Sequence, residues 1–424
     1  MAWIKISKKF ITIKNKNNHL KRFMSNIYDK QSLSIWSPLK IFDFRIFWAG
    51  MSLSTIAFWM QNIIVTSLMI KWTDSDALML SFVQTALFLP AMLLSLPFGI
   101  LADIVDRRKF LIFSQLWMML PPLIISALAL TDTKSPIALL TATAMLSVGN
   151  AMKLPCQSAY LVSLTNKELM PFSIALNSMS VNGGRVIGPA TAGFLMPILG
   201  ATSLLIANSF VYFIYIIILL NLPSKFKIIK LTYPQIIKKI EGIITYSTQE
   251  KTYRIILLRG GLYFCTWSTI LGIIPLILND PKDFGFLYGL FGTGAVVGAS
   301  LYGILSNLTS KTTGINIGIC LHGVILLLLS LTNNIFLLGC LMLLMGITSF
   351  FVMTSLQVSA QQKFPDEIRG RGLALITTVF MGATALSSPF WGYLTNFVTP
   401  STTLKIASFF AIFFALFLSN KKIS

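Results

Sequence analysis

Arg185 stands in "VNGGRVIGPATAGF", residues 181–194, and no other charged residue occurs between Pro171 and Asn221. It lies roughly 20 Å into an apolar run at ~1.5 Å rise per residue. A guanidinium keeps its charge and offers a planar fork of donors that suits carboxylates and other clustered oxygens. At such depth it must face a wet cavity or a partner. All fourteen Asp and Glu residues fall in loops, end segments or the ends of apolar runs. Arg185 is therefore left with amides, carbonyls, water or a bound anion, and both a structural and a ligand-binding role stay open. Gln61, Asn62, Gln84, Asn150, Asn182, Tyr263, Trp267 and Gln357 are further polar groups inside apolar runs, each a candidate for the same site or a packed polar residue. His322 is the in-run group that ordinarily titrates near neutrality, and it reads as a structural residue.

The residues that would indicate an enzyme are missing from the pattern. There is no nucleophile–base pairing and, with two histidines, no metal-ligand set. Cys156, Cys265, Cys320 and Cys340 form no C-x-x-C pair and read as reduced, packed thiols. No G-x-x-x-x-G-K-[ST] phosphate loop is present, and "GTGAVVG" at 292–298 lacks the preceding strand that a dinucleotide fingerprint needs. The expectation is a protein without catalytic residues, cofactor or metal.

The elements that must position these side chains are long apolar helices. The chain has 424 residues, 55% of them hydrophobic and only 11% charged, with mean hydropathy +0.75. A soluble domain carries about 25% charged residues. Apolar runs near the ~20 residues that cross a bilayer recur throughout. Twelve are expected, at 45–70, 78–102, 110–130, 135–155, 172–197, 201–221, 255–278, 284–306, 313–331, 334–358, 371–396 and 401–420. The fold class is thus all-α integral membrane, with twelve spans in two six-helix halves.

The net charge of +20 falls almost entirely on one side. The N-terminal residues through Arg45 hold ten Lys/Arg, the turn after the second run has Arg107, Arg108 and Lys109, and the turn region after the fourth has Lys153 and Lys167. Eight more run from Lys225 to Arg259, and Lys311, Lys363, Arg369, Arg371, Lys421 and Lys422 follow. The opposite side has Lys71, Lys134 and Lys282, while Arg185 and Lys405 lie inside runs. This positive-inside asymmetry predicts both termini in the cytoplasm. The charge therefore speaks for a lipid bilayer as partner and against nucleic acid. Residues 1–44 carry no cleavable hydrophobic segment. "MAWIKISKKFITIKNKNNHLKRF" reads either as an interfacial basic helix or as an extension ahead of Met24.

The expected organisation is a basic segment at 1–44, a first half at 45–221, a loop at 222–254 and a second half at 255–424. In the loop, "YPQIIKKIEGIITY" has one apolar helical face and predicts an amphipathic helix on the membrane surface. The halves resemble each other. "GILADIVDRRK" at Gly99 matches "GILSNLTSKTT" at Gly303. "KELMPFSIAL", ending at Leu176, matches "DEIRGRGLAL", ending at Leu375. A duplicated 6+6 arrangement with a site between the halves is a transporter architecture.

"GILADIVDRRK" resembles the loop 2–3 signature of the major facilitator superfamily, with Gly99, Asp103, Arg107 and Arg108 matching and Ile104 and Asp106 departing. "GRVIGPATAG" resembles the fifth-span signature of its antiporters, with Gly184, Gly188, Pro189 and Gly193 matching and Ala192 replacing a glycine. Longer stretches, among them "LLSLPFGILADIVDRRKFLIFSQLWM" and "ALNSMSVNGGRVIGPATAGFL", are similar to the bacterial transmembrane secretion effectors, the branch containing the enterobactin exporter. The resemblance covers about Phe44 to Leu394. It implies a monomeric inner-membrane secondary transporter that exports a small molecule, siderophore or drug-like, in exchange for protons. Importer and non-transporting sensor are the alternatives. With no carboxylate inside a span, Asp103, Asp43 or His322 would have to carry the proton. Asp103 is expected to meet the start of the eleventh span near Arg371 and so close an inner gate. Arg107 and Arg108 could pair with Glu168. Small residues in the fifth span (Gly183, Gly184, Gly188, Gly193) and the eighth (Gly289, Gly292, Gly294, Gly298) predict that these two helices meet across the halves.

Overall fold

The computed structural model describes residues 34–224, 249–278, 281–362 and 369–421. The side chains of Asp103, Pro281, Lys282 and residues 369–371, 373 and 374 lie outside that description. So do the amphipathic stretch at 233–246 and Lys363.

The described residues form twelve long helices: α1 Phe42–Trp72, α2 Ala77–Ile104, α3 Arg107–Leu130, α4 Pro136–Ser163, α5 Met170–Leu199, α6 Ala201–Leu220, α7 Lys251–Gly272, α8 Pro281–Leu308, α9 Lys311–Leu329, α10 Ile335–Gln361, α11 Arg369–Thr395 and α12 Pro400–Phe417. Ten are long and apolar enough to cross a membrane. The other two, α5 and α11, have 30 and 27 residues. Both pack across the interface between the halves.

Side-chain caps set the starts of several helices. Asp76 accepts from the Met79 amide to start α2, Ser135 from Ala138 to start α4, and Asn334 from Phe336 and Leu337 to start α10. Asp106, which departs from the loop 2–3 signature, caps α3 by accepting from the amides of Arg108 and Lys109. Its other carboxylate oxygen takes a 2.8 Å bond from Ser224.

The packing repeats with a shift of six helices. In the first half α1 packs on α5, α2 on α4, and α3 on α4 and α6. In the second, α7 packs on α11, α8 on α10, and α9 on α10 and α12. Between the halves α2 meets α11 and α5 meets α8, which the same shift interconverts. The contact pattern is thus that of a two-fold arrangement.

The side bearing the start of α1 and the α2–α3 and α4–α5 turns is called the tail side here; the opposite one is the far side. The halves are closed on the far side. There Gly193 of α5 lies against Gly285 of α8 so closely that a Cβ on Gly285 would sit 2.6 Å from the Gly193 Cα. Ser388 of α11 donates to the Ser81 carbonyl of α2 at 3.0 Å, and Thr85 of α2 donates to the Ala385 carbonyl at 2.8 Å. Gly99, Gly183 and Gly303, in the tail-side parts of α2, α5 and α8, have open space where a Cβ would go.

Glycine roles divide more finely than expected. Gly292 faces the Val186 carbonyl of α5, but Gly294 and Gly298 face Leu343 and Ile347 of α10 within the second half. Gly184 and Gly188 are pressed against α1, whereas Gly183 touches nothing within 4 Å.

Three expectations about basic residues are corrected. Lys153 does not belong to a turn: α4 runs through Pro155 to Ser163 and buries Lys153 completely. A proline reads as a helix stop in sequence, but a membrane helix tolerates it where neighbours take up the freed backbone groups. Arg259 likewise lies inside α7 and is 1% exposed. It donates to the carbonyls of Leu418 (2.5 Å) and Lys421 (2.7 Å), just beyond the end of α12. Arg108 does the same for the first half, donating to the Leu219 (2.7 Å) and Leu220 (2.5 Å) carbonyls at the end of α6 rather than to the exposed Glu168. Each half therefore has its last helix held at the C-terminal end by an arginine, where orphan carbonyls and the helix dipole both favour a cation. Arg107 donates to the Ala102 carbonyl at 3.2 Å. The side chains of Asp103 and Arg371, the expected gate pair, lie outside the described residues.

Candidate functional site

The site is built by two helices that approach without side chains between them. At Gly184 an added Cβ would meet Thr55 Cγ2 at 2.6 Å, and at Gly188 it would meet Ile56 O and Trp59 Cβ at 2.7 Å each. These glycines stand one residue before and three after Arg185. They let α1 lie close enough for the Trp59 ring to sit 5.5 Å from the Arg185 guanidinium. A cation over an indole face gains about 0.5–2 kcal/mol, the more so when dry.

Arg185 and Trp59 open onto a cavity between the halves, with about 1170 Å³ of space not filled by atoms, its open mouth included. The first half contributes Asn62, Asn182 and Pro189 besides this pair. The second half contributes Trp267, Gln357, Ser349, Phe264 and Phe380, the last two stacked with ring centroids 4.6 Å apart. Several polar atoms here are buried without a protein partner: Arg185 Nε, Trp267 Nε1 and both amide atoms of Asn62. A buried donor left unsatisfied costs about 1–3 kcal/mol, so these groups are arranged for something that is not protein. Donors predominate, the fixed charge is positive, and the remaining wall is aromatic and apolar. Such a surface holds an amphipathic molecule by its oxygens at one end and its flat or apolar body at the other.

Five of the nine expected contact residues line this cavity: Arg185, Asn182, Asn62, Trp267 and Gln357. Four do not. Gln61 and Gln84 are wholly buried, and Asn150 is 7% exposed on α4. Tyr263 points away and borders a small void with Arg259 and Asn316. Gln84 stands one turn from the cavity-lining Phe88, and Tyr263 one turn from Trp267, so helical spacing alone does not decide which of these residues reaches the cavity. His322 is fully buried, its Nδ1 3.1 Å from Met345 Sδ and its ring edge-on to Tyr263 at 5.0 Å. Among the expected gate residues, Pro189 lines the cavity, Gly188 and Gly193 mark close helix contacts, and Gly99 faces open space.

Sequence reading missed Trp59 and the aromatic wall, because an aromatic residue facing a cavity is spelled like one facing lipid. It also missed Lys153 as a buried group, although the signal was present: a lysine ten residues before the end of a helix with no acid in it. Lys153 Nζ donates to Ser54 Oγ at 3.3 Å, and Ser54 donates to Gln115 Oε1 at 2.9 Å. No group of three or more His, Cys, Asp or Glu suited to a metal occurs among the described residues.

Known proteins share both the sequence and the shape. The family model for transmembrane secretion effectors matches residues 33–423. The staphyloferrin A transporter of Staphylococcus aureus (strain NCTC 8325 / PS 47) is 27% identical over 316 residues, which is 72% of this chain and 78% of that one. Macrolide efflux protein A of Streptococcus pyogenes is 23% identical over 351 residues, 79% of this chain and 85% of the other. Among solved structures, a point-mutant form of the nucleoside transporter NupG superposes with TM-score 0.71 at 13% identity, covering 89% of this chain and all of that one. A bacterial homologue of the iron transporter ferroportin, in an inward-facing state, gives 0.66 at 14% identity, covering 89% and 99%. With two six-helix halves closing on a central cavity and a family match spanning nearly its whole length, the chain belongs to the transmembrane secretion effectors and is a multi-span transporter of the major facilitator superfamily.

Proposed function

We propose that this protein exports a small amphipathic anion, of siderophore or drug-like size, across the bacterial inner membrane by alternating access coupled to protons. The observation that carries the reading is Arg185, seated on Trp59 at the cavity wall with its Nε unpartnered. No carboxylate occupies a helix interior among the described residues to neutralise it: Asp43, Asp103 and Asp283 all lie within a turn or so of a helix end. An anionic ligand supplies that charge. Relatives named for staphyloferrin A transport and for macrolide efflux support the direction and the ligand size.

On this reading the tail side is the cytoplasm, both termini lie there, and the far-side closure represents a state that loads from within. Rocking of the halves about α2–α11 and α5–α8 would transfer the cavity outward. Gly188, Pro189 and Gly193 serve those contacts. Gly99, Asp103, Arg107, Arg108, Glu168 and Arg371 would govern the tail-side gate.

Everted vesicles offered a panel of catecholates, carboxylates and macrolides in the medium, with and without a pH gradient, test direction and ligand class together, since an exporter fills their lumen. Arg185→Gln removes charge-assisted hydrogen bonds of about 1.5–3 kcal/mol, so binding of an anionic ligand should fall roughly 10- to 150-fold. Arg185→Lys keeps charge but loses the planar fork and the stacking on Trp59, and should also transport poorly. Transport of an anion at the normal rate by Arg185→Gln would refute the binding role. Failure of that variant to reach the membrane would assign Arg185 to structure.

A further inference from the structure

The central cavity does not account for a second buried cation. Lys153 is 0% exposed and is not part of the cavity wall. Its ammonium donates to the Ser54 hydroxyl at 3.3 Å, a neutral partner. A lysine in a dry core without a counter-charge is costly: it must give up its proton or gain water or an anion. A methionine or leucine would fill the same space at no such cost.

The charged groups on every helix packed against α4 are accounted for elsewhere. On α1, Asp43 lies eleven residues before Ser54, roughly 16 Å along the helix. Arg45 is nearby at that end, and Lys71 lies at the other. On α2 the acid is Asp103, in the last turn. On α3, Arg107 and Arg108 donate to backbone carbonyls, and Lys109 lies in the first turn. On α5, Arg185 sits over Trp59.

The α1–α4 seam that holds Lys153 also carries buried amides with spare capacity. Gln157, one turn along α4, has both amide atoms buried and unpartnered, as does Gln61, two turns from Ser54 on the same face of α1. Gln61 adjoins Asn62, which lines the cavity and is also unpartnered. Polar atoms of this kind are where buried water binds. The seam is shut by tight packing: at Gly149, one turn from Lys153, a Cβ would sit 3.0 Å from Trp117 of α3. A shift of α4 against α1 and α3 would admit water.

We propose that Lys153 is the proton-binding site of the transport cycle. The amine lone pair takes a proton from hydronium delivered through water admitted to the seam: an N–H bond forms as an O–H bond breaks, giving an ammonium and leaving a neutral water. The reverse transfer returns the proton to water on the other side after the halves have rocked. His322 does not need this role, since a neutral imidazole is at home against Met345 and Tyr263. The inference rests on the proton-coupled transport proposed above.

The test uses full-length protein in proteoliposomes with 2,3-dihydroxybenzoate as probe and trapped pyranine to report internal pH. Wild type should exchange probe at equal pH on both sides and should move about one proton per cycle when probe flows. Lys153→Met, fixed neutral, and Lys153→Arg, fixed charged, should keep probe exchange within a few-fold and lose the pyranine signal. Either variant moving protons at the wild-type ratio overturns the role of Lys153 and leaves proton coupling intact. A wild type that exchanges probe without moving protons refutes the coupling itself. Should the probe not be carried at all, thermal unfolding decides. The stability of wild type relative to Lys153→Met should rise with pH if the folded amine is neutral, because the unfolded chain then binds one more proton than the folded one. A pH-independent difference, or failure of both variants to fold, overturns the proposal.

Discussion

Substituting Gly193 by alanine should move the conformational balance of the whole transporter. An ideal Cβ at this position would overlap the Gly285 carbonyl group and lie 2.9 Å from its Cα. All three neighbours are backbone, so no side chain can rotate away. Ordinary contact begins near 3.4 Å, and α5 and α8 must separate to relieve the overlap. Overpacking of this kind costs about 1–3 kcal/mol, and the cost falls only on the state in which the far side is closed. The ratio of closed to open far side should drop roughly 5- to 150-fold. A cysteine replacing Asn62 in the cavity reads the change, with Cys156, Cys265, Cys320 and Cys340 replaced by serine. Its rate of labelling by an impermeant thiol reagent from the far side should rise by a comparable factor in Gly193→Ala. Gly183→Ala is the control, because its Cβ meets nothing within 4 Å. Labelling of Gly193→Ala at the parent rate would show that the α5–α8 contact does not close the far side, and the reasoning would fail.

Two further outcomes follow from the geometry. Arg259→Met removes two charge-assisted bonds to the carbonyls of Leu418 and Lys421, and Arg108→Met removes the matching pair at Leu219 and Leu220. Each should lower stability by roughly 3 kcal/mol, read as a lower thermal unfolding midpoint of detergent-solubilised protein, with Arg108→Lys recovering only part of the loss. Reporter fusions placed after Lys109, Lys239 and Ser424 should all report the cytoplasm, and fusions after Asp132 or Asp280 the outside; an external signal at Lys239 would break the twelve-helix topology.

The twelve helices were legible in the sequence because crossing a bilayer imposes a length and a composition that few other demands produce. The same constraint made Arg185 conspicuous, since a charge amid uninterrupted apolar residues needs a reason. The halves could be aligned because "GILADIVDRRK" and "GILSNLTSKTT" keep a common pattern in corresponding turns. What a polar residue faces was not legible. Gln61 and Asn62 are neighbours in sequence, yet only Asn62 reaches the cavity, because successive residues on a helix point about 100° apart and the direction of the cavity is set by how whole helices pack. The fourth apolar run ends at 155 in sequence, which puts Lys153 at its edge beside the turn, whereas α4 continues to Ser163. The partners of Arg108 and Arg259 lie 111 and 159 residues away. Local sequence fixes helix length and the presence of a charge. Only the tertiary packing decides whether that charge meets a carbonyl, an indole face, a cavity or another helix, because burial and partner are properties of the assembled bundle.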